Sequence, residues 1–265
     1  MQSNYNDYSY IVDIYQPEET PPTEGFPVII VLDGTRYSKL LYETLANQLR
    51  NRKKTKVEPA IIVGIGHLEK DIPKQRFYDF TAPADHYHFP VRRGKVMQEF
   101  PAGGAVEFMD YIMHQIMPML QEKYKIDDKK ISLYGHSLGG LFVLWSYLTY
   151  PDCFYKYIAI SPSIWWNDHE LIRTIQQVEK PIAAPLYIGV GGEEGDMVDD
   201  AQKFVALASE KWVSCEFYIA ECENHASVIP TTMSRVIRFL KSDERTGHME
   251  KTGCFLDKVN TLNSL

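Results

Sequence analysis

Ile131-Ser132-Leu133-Tyr134-Gly135-His136-Ser137-Leu138-Gly139-Gly140-Leu141-Phe142 passes from a short apolar strand, Ile131 to Tyr134, through a serine between glycines into an apolar helix. That helix, Leu138 to Tyr150, is ended by Pro151. The flanking glycines let the backbone make a tight strand-to-helix turn without side-chain clashes, which holds the Ser137 hydroxyl exposed above the end of a sheet. The helix beginning at Leu138 aims its N-terminal amides at the place where negative charge would develop on a reacting group. G-x-S-x-G alone is a weak pattern. A strand before it and a helix after it give the context that a nucleophilic serine requires.

Outward from this turn the chain alternates strands with helices. Tyr8 to Tyr15 reads as an edge strand stopped by Pro17, Val28 to Leu32 as a strand buried on both faces, and Pro59 to Ile65 as a second buried strand. A helix from Ser38 to about Arg50 lies between those two buried strands. From His67 to Gly104 the periodicity fails, and Pro73, Pro83, Pro90 and Pro101 mark an irregular insertion on the substrate side. Val106, Met109, Met113, Ile116 and Leu120 restore helical spacing, with a kink expected at Pro118. After the serine turn come strands at Tyr157 to Ile160, Leu186 to Val190 and Cys215 to Ile219, and helices at about Asp199 to Trp212 and Thr231 to Leu240. The alternation predicts an α/β fold with a mostly parallel central sheet covered by helices on both faces. One domain over residues 1–265 is expected, with a polar C-terminal tail after about residue 243.

The chain has 265 residues, 45% hydrophobic, 24% charged and 12% aromatic, enough apolar material for a sizeable core. A net charge of -7 gives no global attraction to nucleic acid or to an anionic membrane surface, so neither is expected as a partner. The first ten residues are polar, and no apolar run reaches membrane-span length. Together with four cysteines that form no CxxC pair, this predicts a cytoplasmic protein without disulfides or structural metal. His86 and His88 form an HxH pair with no third ligand at metal-site spacing, so no metal or other cofactor is expected.

A serine hydroxyl needs a base to take its proton as it attacks. His225 follows the last strand in a short polar loop and precedes the last helix, which is where such a base would stand. The acid that orients it should follow the strand Leu186 to Val190, where Glu193, Glu194 and Asp196 compete. Spacing from the first glycine of the loop selects Glu194, and the alternative is a Ser/His pair with all three acids solvated. The oxyanion of acyl transfer needs two donors, one the Leu138 amide and the other from Asp33-Gly34-Thr35. Thr35 is assigned, with Arg36 one residue away.

VIIVLDG ending at Gly34, RFYDFTAPA from Arg76, GGAVEF from Gly103, YGHSLGGLF from Tyr134, SPSIWWND from Ser161 and ENHASVIP from Glu223 resemble the putative esterase (esterase D) family, specifically its enterochelin and ferri-bacillibactin esterase branch. The likeness runs from about Phe26 to Leu240. It implies the α/β-hydrolase fold, ester hydrolysis, and a small-molecule substrate such as the lactone of a ferric catecholate siderophore. It supports Ser137, His225 and the Thr35 and Leu138 amides, and it favours glutamate at position 194. Trp165 then suits an aryl-lined pocket wall, while Arg76, Arg92 and Arg93 could meet an anionic catecholate complex. The wider family also holds aryl esterases and acyltransferases, which are the second reading, and a non-catalytic binding member is the third.

Overall fold

The computed structural model describes residues 1–6, 8–92, 95–211 and 215–241. Arg93, Trp212 and the tail after 243 lie outside the described residues, as does the side chain of Arg92. In chain order the strands are β1 (Gln2–Tyr5), β2 (Tyr8–Tyr15), β3 (Phe26–Leu32), β4 (Ile61–Gly66), β5 (Val91–Arg92), β6 (Lys95–Val96), β7 (Ile126–His136), β8 (Lys156–Ile160), β9 (Leu186–Gly191) and β10 (Cys215–Ala220). The helices are α1 (Gly34–Leu49), α2 (Arg52–Thr55), α3 (Ile72–Phe80), α4 (Ala105–Tyr111), α5 (Met117–Lys123), α6 (Leu138–Thr149), α7 (Trp166–Gln176), α8 (Asp196–Glu210) and α9 (Val228–Phe239).

Eight strands form one sheet in the order β1-β2-β4-β3-β7-β8-β9-β10, and β5 with β6 makes a separate small hairpin. From β4 to β10 every pairing is parallel, while β1 and β2 add antiparallel strands at one edge. The continuous apolar run of β3 follows from burial on both faces, because side chains alternate across a strand. Val28, Ile30 and Leu32 join one core with Phe108, Phe142, Ile172 and Phe204 of α4, α6, α7 and α8. Ile29 and Val31 join the other with Leu41 and Leu45 of α1 and Met233 and Val236 of α9. Tyr10 and Val12 are the buried members of the alternating strand β2, as expected where one face is covered more fully than the other.

Tyr8–Tyr15 is not the edge strand, since β1 pairs along its outer side, and the helix expected from Ser38 starts four residues earlier, at Gly34. Four further expectations change. The insertion at 67–104 is not uniformly irregular, since α3 occupies Ile72–Phe80 with Pro73 in its first turn, where a missing amide costs nothing. The bend in the helical segment 105–123 comes from a π-helical turn at Ile112–Ile116, and Pro118 opens α5 behind it. β7 begins at Ile126, five residues early, because its polar start Asp127-Asp128-Lys129-Lys130 hides the strand. The helix α7, whose first turn carries Asn167, Asp168 and His169 in left-handed backbone conformations, was not expected. Smaller shifts move the last strand and helix boundaries by one to three residues.

The parallel strands all end at one edge of the sheet. Asp33, Ser137, Ser161, Glu194 and His225 all lie just past the carboxyl ends of β3, β7, β8, β9 and β10, which is where open parallel sheets bind ligands.

Candidate active site

Ser137 sits between β7 and α6 at φ 60° and ψ -119°, a conformation that side chains seldom adopt. The surroundings hold it there. Its amide donates to the Ile160 carbonyl at 2.9 Å, and its carbonyl accepts from the Leu141 and Ser163 amides at 2.9 and 3.1 Å. A Cβ at position 135 would stand 2.2 Å from the Gly139 carbonyl oxygen, and one at position 140 would stand 3.0 Å from the Ile160 oxygen. One at position 139 meets nothing closer than 3.4 Å. Close approach therefore demands glycine at 135 and presses at 140, whereas the second glycine of the G-x-S-x-G pattern has room. The Ser137 hydroxyl lies 3.4 Å from the Ser163 hydroxyl.

The structure brings Glu194 to His225. His225 Nδ1 and Glu194 Oε2 are 2.7 Å apart, and because the carboxylate only accepts, Nδ1 carries the proton of this hydrogen bond. The Glu194 side chain is only 1% exposed, whereas that of His225 is 45% exposed. Oε1 of Glu194 accepts from the Gly191 amide at 2.6 Å and from the Ser161 hydroxyl at 2.5 Å. Burial pushes this carboxyl's pKa up, but the hydrogen bonds from His225, Ser161 and Gly191 outweigh burial and hold it below the ordinary glutamate value. Glu193 and Asp196 are exposed. The Gly192 and Glu193 amides donate to the Ala220 and Glu223 carbonyls at 2.8 and 2.9 Å, tying the acid loop to the loop that carries the histidine. Glu194→Gln is expected to lower the turnover number for an aryl ester at least ten times more than Glu193→Gln or Asp196→Asn, as steady-state rates at pH 7.5 would measure; equal effects in all three would leave a Ser/His pair (about 10-fold, on the scale of losing an orienting carboxylate).

Thr35 and Leu138 both stand in the first turn of a helix, α1 and α6, where amides have no intrahelical acceptor. Among the described residues neither amide has a protein acceptor, whereas the neighbouring Arg36 amide donates to the Asp33 carbonyl at 2.9 Å. The Arg36 amide is therefore already engaged, whereas that of Thr35 is not. Asp33 has a left-handed backbone, φ 53° and ψ 40°, and is buried.

Arg76 lies on α3 instead of on a pocket-side loop, and its guanidinium is engaged from below. Nε and Nη2 donate to the two Asp33 carboxylate oxygens at 2.7 and 2.9 Å, and Nη2 also donates to the His136 carbonyl at 3.2 Å. Trp165 is half-buried beside fully buried Trp166, whose ring packs against Phe77 and Phe89. The His88 amide donates to Asn167 Oδ1 at 2.9 Å, fastening the insertion to the start of α7. Among the described residues no group of three His, Cys, Asp or Glu side chains is placed to hold a metal ion.

Sequence reasoning missed Ser161, the Arg76–Asp33 pair and the role of His136. Ser161 immediately follows β8, so its place at a strand end was the signal that could have found it. His136 Nε2 must donate to the His225 carbonyl, at 3.0 Å, because a carbonyl cannot donate; Nδ1 then accepts from the Tyr37 hydroxyl at 3.2 Å. Burial, reinforced by the nearby His225 and Arg76, pushes the His136 pKa down from 6.5 to about 3.

That depression has a stability consequence. The folded pKa lies below the unfolded value, so the unfolded chain binds the proton more tightly. The contribution of His136 is complete above pH 6.5 and is lost progressively as pH falls toward about 3. In that window His136 adds up to about 1.4 kcal/mol per pH unit to the dependence of unfolding free energy on pH. Urea unfolding of wild type and His136→Gln between pH 7 and 4.5 is expected to give a steeper acid loss for wild type. Equal slopes would show that the buried ring does not titrate in this way.

Residues 3–227 match the family model described as "Putative esterase". The chain belongs to this esterase family. Ferri-bacillibactin esterase BesA of Bacillus subtilis is 36% identical over 254 residues, covering 90% of this chain and 87% of BesA. The crystal structure of the BES protein from Bacillus cereus superposes with a TM-score of 0.81 at 32% identity, over 92% of this chain and 94% of that one. Siderophore hydrolase EstA from Aspergillus nidulans gives a TM-score of 0.73 at 26% identity, over 91% and 93% of the two chains. The fold of this family member is the α/β-hydrolase fold, and its family activity is ester hydrolysis. Among the described residues no helix is long and apolar enough to cross a membrane.

Proposed function

We propose that this esterase is a serine hydrolase, acting as one domain in the cytoplasm, that opens the lactone bonds of a ferric catecholate siderophore through an acyl-enzyme. The observation that carries the reading is the buried Glu194 carboxylate on His225 Nδ1, set at the same sheet edge as the strained Ser137 turn. The relatives named for siderophore esters supply the substrate class.

In this reading Ser137 Oγ attacks the ester carbonyl carbon while His225 Nε2 takes its proton. The oxygen of the tetrahedral intermediate gathers negative charge and is met by the Thr35 and Leu138 amides. Collapse breaks the bond to the alkoxy oxygen, and the imidazolium gives that oxygen its proton, releasing the alcohol end and leaving the acyl group on Ser137. A water then loses its proton to His225, attacks the acyl carbon and frees the carboxylate, with the proton returning to Ser137. Glu194 holds the imidazole in the required tautomer and stabilises its cation throughout. No cofactor enters these steps.

Trp165 lies on the proposed substrate side, and Arg92 and Arg93 are proposed to bind the anionic complex. Specificity constants measured side by side for a ferric trilactone siderophore, its iron-free form and a short-chain aryl ester test the substrate class. Hydrolysis of the aryl ester with no turnover of either trilactone would leave a general esterase. Arg92→Ala combined with Arg93→Ala is expected to raise the Michaelis constant for the ferric complex by a factor corresponding to about 1 kcal/mol and to leave a neutral aryl ester unchanged. High salt should shrink the wild-type preference in the same direction, because the Debye length falls to about 3 Å at 1 M. A preference unmoved by both mutation and salt would make these arginines ordinary surface charge.

A further inference from the structure

The proposed nucleophile and its proposed base ride on different parts of the sheet. Ser137 follows β7, whereas Glu194 and His225 follow β9 and β10, with β8 between. The acid and histidine loops travel together, because the Gly192 and Glu193 amides donate to the Ala220 and Glu223 carbonyls at 2.8 and 2.9 Å. Glu194 therefore orients the ring of His225, but holding that ring at a set distance from Ser137 takes a contact from the nucleophile's own strand. His136, the residue before Ser137, supplies one: its Nε2 donates to the main-chain carbonyl of His225 at 3.0 Å. We propose that His136 is a positioning residue, a neutral strut that fixes the spacing between Ser137 and His225, and that Tyr37 keeps it in the tautomer that donates.

The strut starts from a fixed base. His136 is buried at the end of β7, and the next amide, that of Ser137, donates to the Ile160 carbonyl at 2.9 Å. With the proton on Nε2, Nδ1 is left as an acceptor, and the Tyr37 hydroxyl of α1 meets it at 3.2 Å. Burial raises the Tyr37 pKa, so the phenol keeps the proton it donates. Burial also keeps the His136 imidazole uncharged. A charged ring would lose the acceptor that Tyr37 needs and would set a cation beside His225, whose ring centroid lies 4.5 Å away. The far end needs such a hold. His225 is half-exposed, on a loop that leaves β10 through Cys222 in a left-handed conformation, φ 61°. A misplacement of about 1 Å between reacting groups costs up to about 100-fold in rate.

The inference rests on the reading of Ser137 and His225 as nucleophile and base, and the test separates the two. His136→Phe keeps a flat ring but has no donor, whereas His136→Gln places an amide N–H close to where Nε2 stood. With a neutral aryl ester, His136→Phe is expected to lower kcat about 10- to 100-fold with KM within about threefold of wild type, and His136→Gln to recover to within about fivefold. Should the phenyl ring prevent folding, His136→Asn, whose amide is too short to reach the carbonyl, replaces it in the comparison. Tyr37→Phe should lower kcat about 3- to 10-fold, the scale of one lost hydrogen bond, by freeing the ring to take the other tautomer. Nitrogen-15 NMR of the labelled histidines should show the His136 proton on Nε2 in wild type and shared between the two nitrogens in Tyr37→Phe. The downfield proton of His225 Nδ1 on Glu194 should persist in every variant, showing that the acid and the histidine stay paired while the rate falls. A folded His136→Phe within threefold of wild type, equal losses in His136→Phe and His136→Gln, or loss of the downfield proton along with kcat would overturn the proposal. Ser137→Ala that still turns over would refute the nucleophile reading itself, whereas an inactive Ser137→Ala beside a fully active His136→Phe would remove the strut alone.

Discussion

Ser137→Ala is expected to reduce ester hydrolysis by a factor of about 1,000 or more, leaving the residue of catalysis that oxyanion binding alone supplies. The fold should survive. Ser137 stands at an exposed sheet edge, its backbone bonds to Ile160, Leu141 and Ser163 do not involve the hydroxyl, and removing Oγ opens no core cavity. Alanine must still adopt φ near 60°, so a loss of stability on the order of 1 kcal/mol or less is compatible with an intact site, since serine already bears that strain. Turnover retained above about a thousandth of wild type, with correct folding shown by circular dichroism, would remove Ser137 from its role.

His225→Ala should produce a loss of the same order, for a reason the geometry makes specific. The Nδ1 proton is held by a carboxylate fastened by two further donors, so in the proposed mechanism it is the Nε2 lone pair that takes the serine proton. Without it, Ser137 attacks as a neutral hydroxyl with no proton acceptor in place. The double variant Ser137→Ala with His225→Ala should fall within about threefold of either single variant, because groups that act in one step lose their effect together. Losses that multiply would mean that the two residues serve separate steps. Glu194 is expected to matter less than either, because it orients and stabilises the base without handling the transferred proton.

The sheet was legible because its strands are buried on both faces. β3 therefore appears as a nearly unbroken apolar run and the second half of β7 as a mostly apolar one interrupted by Ser132, each ending in turn residues, and Pro151 and Gly191 mark where elements stop. The serine turn was legible because glycines flank Ser137 between a strand and a helix, and the histidine loop because it lies between the last strand and the last helix. What escaped were features decided by tertiary contact. Helix α3 carries a proline in its first turn and buries few side chains, so its sequence resembles the loop around it. The polar start of β7 gives no strand signal. The Arg76–Asp33 pair escaped because nothing in the sequence shows that the β3 loop brings together two residues 43 positions apart. His136, read as a packing residue, turns out to join Tyr37 to the backbone of His225, a role that depends on which ring nitrogen meets a carbonyl.

In the proposed mechanism ester cleavage passes through Ser137. Titrating the enzyme with a fluorophosphonate while following both residual aryl-ester hydrolysis and the site of modification by peptide mass spectrometry tests it most directly. One adduct per chain is expected on the peptide containing Ser137, with activity falling in step with its formation and labelling slowed when the ferric trilactone is present. Full labelling with hydrolysis intact, or an inactivating adduct on any other residue, would contradict it.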